Sequence, residues 1–125
     1  MKQVKLIVAT GFCLFSAAAF SQGAKTQLPD DIAPFFKGQK FSATTSMPSG
    51  TFTSEVTQNA DGSAAISTGP RGPDAGEWSY EAGRHCVTWK YRYDNSCGTL
   101  TKEADGSVKR TREGTGVVTI WRIEQ

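Results

Sequence analysis

Gly76-Glu77-Trp78-Ser79-Tyr80-Glu81-Ala82-Gly83-Arg84-His85-Cys86-Val87-Thr88-Trp89 is the stretch on which the fold turns. Trp78 and Tyr80 alternate with Glu77, Ser79 and Glu81, the period of two expected of a strand with one buried face and one wet face. Ala82-Gly83 breaks the run, and Val87 and Trp89 then resume it. Two alternating runs around a short glycine turn predict a β-hairpin.

The same pattern extends in both directions. Upstream, Phe41, Ala43 and Thr45 alternate with polar neighbours as far as the turn Pro48-Ser49-Gly50. Phe52, Ser54 and Val56 alternate with Thr53, Glu55 and Thr57. Asp61-Gly62 then turns the chain into Ser63 to Thr68, with Ala64 and Ile66 on one face. Gly69 to Ala75 is no central strand, because Pro70 and Pro73 lack ladder donors. Downstream, Leu100, Asp105-Gly106 and Val108 predict another hairpin. Val117 to Ile123 closes the chain with apolar side chains on both faces, so each face needs cover. Asn59-Ala60-Asp61-Gly62-Ser63 and Glu103-Ala104-Asp105-Gly106-Ser107 echo each other, which we read as convergent chemistry of two-residue Asp-Gly turns.

Ahead of the strands, Asp30 to Phe36 predicts a short helix with Asp30 and Asp31 at its positive end. Pro34 limits it, Gly38 ends it, and its apolar side is the obvious cover for the last strand. The fold class is therefore all-β. It is an antiparallel up-and-down meander of about eight short strands, forming a small barrel or a half-open sandwich, with a short N-terminal helix.

The chain begins differently. Lys2 and Lys5 precede an uncharged run, Leu6 to Phe20, and Ala19 and Ser21 are the small residues a signal peptidase requires. Residues 1–21 are expected to be a signal peptide, 22–28 a flexible lead-in, and 29–125 a single β domain. The run is short for a membrane span and lacks a stop-transfer charge. Cleavage removes Lys2, Lys5 and Cys13, leaving twelve basic residues, twelve acidic residues and two cysteines. The remaining net charge of zero argues against a nucleic-acid role. The expected location is the periplasm or the extracellular medium.

There, Cys86 and Cys97 are expected to form a disulfide. With continuous strands and a tight turn at Asp94-Asn95-Ser96, Cys86 would sit roughly 23 Å along from the partner of Cys97. A bridge needs Cα atoms within about 7 Å. Either the thiols are free, or Lys90 to Ser96 leaves the ladder as a loop stapled at its base; the compartment favours the staple. Lys90, Tyr91, Arg92 and Tyr93 would then form an exposed contact surface, with Trp78 and Trp89 nearby as further candidate contacts. The alternative turns both tyrosines inward to cap the core.

No catalytic constellation emerges. His85 and Cys86 are adjacent in a strand and point to opposite faces. Together with Cys97 they fall short of a metal site. Glu77 and Glu81 read as a solvated face, and no nucleophile-elbow pattern occurs. Gly114-Thr115-Gly116 and Gly69-Pro70-Arg71-Gly72 lack the following helix that phosphate binding uses. Lys109-Arg110-Thr111-Arg112 reads as a solvated strand end or, alternatively, a contact for an anionic surface. No cofactor, no metal and no enzymatic activity are expected.

Gly76-Glu77-Trp78, then Arg84-His85-Cys86-Val87-Thr88-Trp89 and Cys97, resemble a family of small secreted bacterial domains with no assigned activity. In it a Gly-x-Trp strand leads to a Cys-x-x-aromatic strand and a second Cys, after an Asp-Gly hairpin like Asp61-Gly62. The likeness covers residues 38–122. The chain is also similar, more faintly, to lipocalin and avidin barrels, in which Gly-x-Trp meets an arginine from a late strand. That likeness implies Gly76, Trp78 and Arg122 in those parts, with the guanidinium over the indole, although Gly-x-Trp lies mid-chain here. The resulting expectation is an exported, non-enzymatic binding module for a small ligand or an envelope or secreted protein. The alternatives are an inhibitory or structural envelope protein and, last, an envelope hydrolase.

Overall fold

A computed structural model describes residues 28–124; the expected signal peptide and residues 22–27 of the lead-in lie outside them. Eight strands follow one another: β1 (Phe41–Met47), β2 (Gly50–Gln58), β3 (Ser63–Thr68), β4 (Asp74–Glu81), β5 (Arg84–Trp89), β6 (Ser96–Lys102), β7 (Val108–Arg112) and β8 (Val118–Ile123). Each pairs antiparallel with the next, and β8 returns to β1, from Phe41↔Ile123 to Ser46↔Val118. The sheet is therefore a closed up-and-down barrel rather than a half-open sandwich. Closure removes both sheet edges, so every strand has a partner on each side.

Alternating chain direction sorts the connections. Those at 48–49, 69–73, 90–95 and 113–117 gather at one end, the mouth, and those at 59–62, 82–83 and 103–107 at the other, the base. The two echoed segments adopt the same turn. In each, Asp61 or Asp105 accepts from the backbone N–H and hydroxyl of the serine two residues on. Only the glycines, Gly62 and Gly106, take positive φ there, at 96° and 94°. Asn59 N–H donates to Ser63 O and Glu103 N–H to Ser107 O, so these are three-residue loops, not the expected two-residue turns.

Two-residue turns occur at 48–49, between the paired Met47 and Gly50, and at Ala82-Gly83, between the paired Glu81 and Arg84. Ala82 and Gly83 are both left-handed, with φ 55° and 83°. An alanine there carries a Cβ penalty of about 1 kcal/mol. Ala82→Asn is accordingly expected to stabilise the domain by about 0.5–1 kcal/mol, read as a rise in the urea midpoint with an unchanged slope.

The base is sealed from below. The helix expected over 30–36 is instead a turn followed by a 3₁₀ segment, Ala33–Phe36, with no acidic residue in its first turn. Ile32 and Ala33 donate to Pro29 O. Pro34 contributes no N–H, and Gly38 at φ 85° redirects the chain at once, leaving too few residues for an α-helix. Phe35 and Phe36 enter the barrel and are 2% and 1% exposed. Phe36 lies 4.4 Å from Trp78 by ring centroids, and Phe35 lies 5.3 Å from Phe41 and 5.8 Å from Trp121. The segment thus covers the inner face of β8. The outer Val118 and Ile120 stay half-buried within the sheet surface.

The interior changes character along its length. Reading inward positions from base to mouth, β1 offers Phe41, Ala43 and Thr45, and β8 runs from Trp121 to Thr119. β7 runs from Val108 to Arg110. An eight-stranded barrel is just wide enough for side chains to fill it or for one small ligand. Large rings fill the lower half. Small and polar side chains leave space in the upper half.

Candidate functional site

A cavity of about 600 Å³ opens at the mouth between Met47, Phe52, Pro70, Trp89, Tyr93 and Val117, with Thr45, Ser54, Ser96 and Thr119 below. A deeper chamber of about 140 Å³ shares Thr45, Ser54, Trp89, Ser96, Arg110 and Thr119 with it and reaches Gln58, His85 and Trp121. Its floor is therefore the top of the aromatic core.

Two strands build the walls around glycine gaps. A Cβ on Gly76 would stand 2.8 Å from Trp89 Cε3 and 2.2 Å from Thr88 O, so the Gly76↔Trp89 pair lets the indole lie across β4. A Cβ on Gly98 would stand 3.2 Å from Arg110 Cγ and 2.6 Å from Thr111 O. Gly98 therefore leaves room for the arginine stem beside β6.

Arg110 is the centre of the site. Its Nε donates to His85 Nδ1 at 2.8 Å, and its Nη2 donates to His85 O at 3.2 Å and Ser96 O at 3.1 Å. Arginine has no acceptor, so His85 Nδ1 is the bare nitrogen and Nε2 carries the proton. Nε2 then donates to Gln58 Oε1 at 2.6 Å, and Gln58 Nε2 donates onward to Phe35 O at 3.4 Å. This chain links the cavity floor to the base plug. Burial and the neighbouring Arg110 charge hold the His85 pKa well below 6.5. Burial, then the Arg112 charge, lower Arg110 to about 10, which keeps it cationic at neutral pH.

The His85 shift has a stability consequence. Below pH 6.5 an unfolded histidine binds a proton that the folded ring refuses, so stability falls as pH falls. The contribution is complete above about pH 7, and the slope below it reaches at most about 1.4 kcal/mol per pH unit. Asp105, held low by Ser107, and Glu113, held low by Arg84, have folded pKa values below 3.8 and 4.5, so their contributions are lost only at more acid pH. Urea unfolding between pH 5 and 7 is expected to show the slope in the wild type and to lose it in His85→Phe.

The rim is braced. Cys86 and Cys97 face each other in the β5–β6 ladder with Cα atoms 3.9 Å apart and are disulfide-bonded, and residues 90–95 form a loop as the staple requires. Asn95 Oδ1 accepts from Trp89 N–H, and Asp74 accepts from the N–H groups of Arg92 and Tyr91. Burial would raise the Asp74 pKa, but the N–H groups of Arg92, Ala75, Tyr91 and Tyr93 hold it below 3.8. Tyr93 donates to Gly72 O at 2.7 Å and accepts from Arg71 N–H at 3.0 Å, tying the 69–73 loop to the 90–95 loop.

The six contact residues expected from the sequence separate into three groups. Trp89 and Tyr93 line the mouth, their ring centroids 6.2 Å apart. Trp78 does not belong to a surface site; it is buried against Phe36 and donates Nε1–H to Asn59 O. Lys90, Tyr91 and Arg92 lie outside the cavity lining, and Tyr91 is 82% exposed. The two tyrosines thus take opposite sides.

Other expectations change as well. Arg110 is not part of a solvated strand end, because it lies on the Val108 face of β7 and that face is inside. Arg122 is not over Trp78; its neighbour Trp121 takes the inward position, and Arg122 pairs with Asp105 on the outside at 2.9 Å. Glu77 and Glu81 are exposed, as read. Gln58, Asp74 and Arg71 carried no sequence signal. His85 carried one, since it shares the inward parity of Val87 and Trp89. Among the described residues no group of three or more metal-ligating side chains comes together, and no helix is long and apolar enough to cross a membrane. No protein-family model, no curated protein and no solved structure matches the chain.

Proposed function

We propose that this chain is an exported, non-enzymatic binding module that holds one small molecule in the mouth of its barrel. The observation that carries the reading is the contrast between the two ends. Phe35 and Phe36 fill the base, whereas a cavity of about 600 Å³ stays open at the mouth and continues to the buried His85 and Arg110. Pockets of this size, apolar at the rim with a few convergent polar groups, are where small ligands bind. The disulfide supports an oxidising compartment. Both His85 ring nitrogens are engaged and Cys86 is bonded, which supports binding over catalysis.

The test is the fluorescence of 1-aminoanthracene, a neutral aromatic probe. It is expected to brighten and shift to the blue on saturable one-to-one binding, and to lose at least fivefold in affinity in Trp89→Ala. No saturable binding, or binding indifferent to Trp89, contradicts the reading. A protein partner is the second reading. It rests on Tyr91, exposed between Lys90 and Arg92 on a braced loop. A partner captured by the wild type and lost with Tyr91→Ala, alongside unchanged probe binding, would favour it.

A further inference from the structure

We infer that the ligand of this cavity carries an oxyanion, docked on Arg110 with Arg112, and an apolar body that extends toward the rim. The inference rests on the cavity reading above and names the chemical class that fills it.

Arg110 is only 8% exposed, and every acceptor it meets is neutral: a histidine nitrogen and two backbone carbonyls. Among the described residues it has no carboxylate partner, and its Nη1 has no acceptor. Cations buried this far are ordinarily paired, since desolvation without a counter-charge is costly. The acid nearest in sequence, Glu113, favours the Arg110 charge without forming an ion pair with it, because its carboxylate is held by Arg84 Nε at 2.6 Å and Nη2 at 3.0 Å on the outer side. Arg112 lies two residues along the same face of β7, also lines the mouth and has no ion-pair partner among the described residues. Arg71 adds a third guanidinium at the rim, its Nη1 donating to Arg92 O at 3.0 Å, and among the described residues Asp94 is the one carboxylate in the lining. Two arginines on the wall of one cavity offer guanidinium donors for carboxylate, phosphate or sulfate oxygens.

The groups beyond the arginines set the body of the ligand. Trp89, Phe52, Met47 and Val117 form an apolar collar above Arg110, with Arg112 at the level of Val117, and an alkyl or aryl segment would leave water against it. His85 stays neutral and gives its bare nitrogen to Arg110, which fixes the guanidinium without cancelling its charge.

Calorimetric titrations with octanoate, octyl sulfate, octan-1-ol and octylammonium at pH 7.5, below micelle formation, test this. Octanoate or octyl sulfate is expected to bind at least tenfold tighter than octan-1-ol, with octylammonium weakest; the better of the two anions identifies the head group. Arg112→Gln, at a guanidinium with no hydrogen bond or ion pair among the described residues, is expected to reduce the ratio of anion to octan-1-ol affinity at least threefold. Arg110→Met is expected to abolish the preference, with a thermal melt confirming that the variant folds. Equal binding of octanoate, octyl sulfate and octan-1-ol overturns the oxyanion but leaves the cavity reading intact. Tighter binding of octylammonium does the same. Absence of binding by all four probes overturns both.

Discussion

Phe36→Ala is expected to destabilise the domain by about 3–5 kcal/mol, a large share of what a domain of this size possesses. Phe36 is 1% exposed and packs on Trp78, His85 and Trp121 at centroid distances of 4.4, 5.7 and 6.0 Å. The barrel is closed, so its strands have no free edge along which to slide inward and fill the hole. Urea unfolding followed by tryptophan fluorescence measures the loss. Phe52→Ala, an exposed aromatic change at the mouth, is the comparison and is expected to cost less than about 1 kcal/mol. Equal losses at the two positions would mean that the base is not where the packing energy lies.

Replacing both Cys86 and Cys97 by alanine is expected to cost about 2–3 kcal/mol, mainly by freeing the unfolded chain. The bridge joins directly opposed residues of β5 and β6 and closes the 90–95 loop that carries Tyr93 to the rim. Asp74, Asn95 and Tyr93 hold the same loop by hydrogen bonds, so the double variant is expected to keep its native fold while it melts earlier. Reducing agent is expected to lower the wild-type urea midpoint by a similar amount and to leave the variant unmoved.

Much of this architecture was legible because a small barrel is built on one simple period. The inward sets Phe41-Ala43-Thr45, Ala64-Ile66, Trp78-Tyr80 and Val87-Trp89 follow from alternation alone. The loop at 90–95 followed from the staple that the expected compartment favours, since only a loop between β5 and β6 lets Cys86 meet Cys97. A period of two puts Arg110 and Arg112 on the face of Val108, a signal the sequence reading did not use because four polar residues in a row read as surface. What reverses that is tertiary. β7 is flanked by β6 and β8, so its inner side faces the barrel interior whatever side chains it carries, and Gly98 makes room for the guanidinium. The parity of His85 was equally visible, but its partner Gln58 lies 27 residues away and meets it only after the barrel closes. The helix was overread because aspartates before an apolar stretch look like a helix start, while Pro34 and Gly38 leave room for one 3₁₀ turn.

Where a ligand sits in the barrel decides between a mouth site and a loop site. Solution NMR of isotopically labelled protein with octanoate measures that directly, through intermolecular nuclear Overhauser contacts and shifts of arginine side-chain signals. The predicted result is contact between the alkyl protons and the Trp89 indole and Thr119 methyl, with the Arg110 Nε–H signal displaced and the base turns at 59–62 and 82–83 unaffected. Contacts confined to the Tyr91 side of the loop or to the base, with Arg110 and Trp89 unmoved, would contradict a mouth-bound ligand.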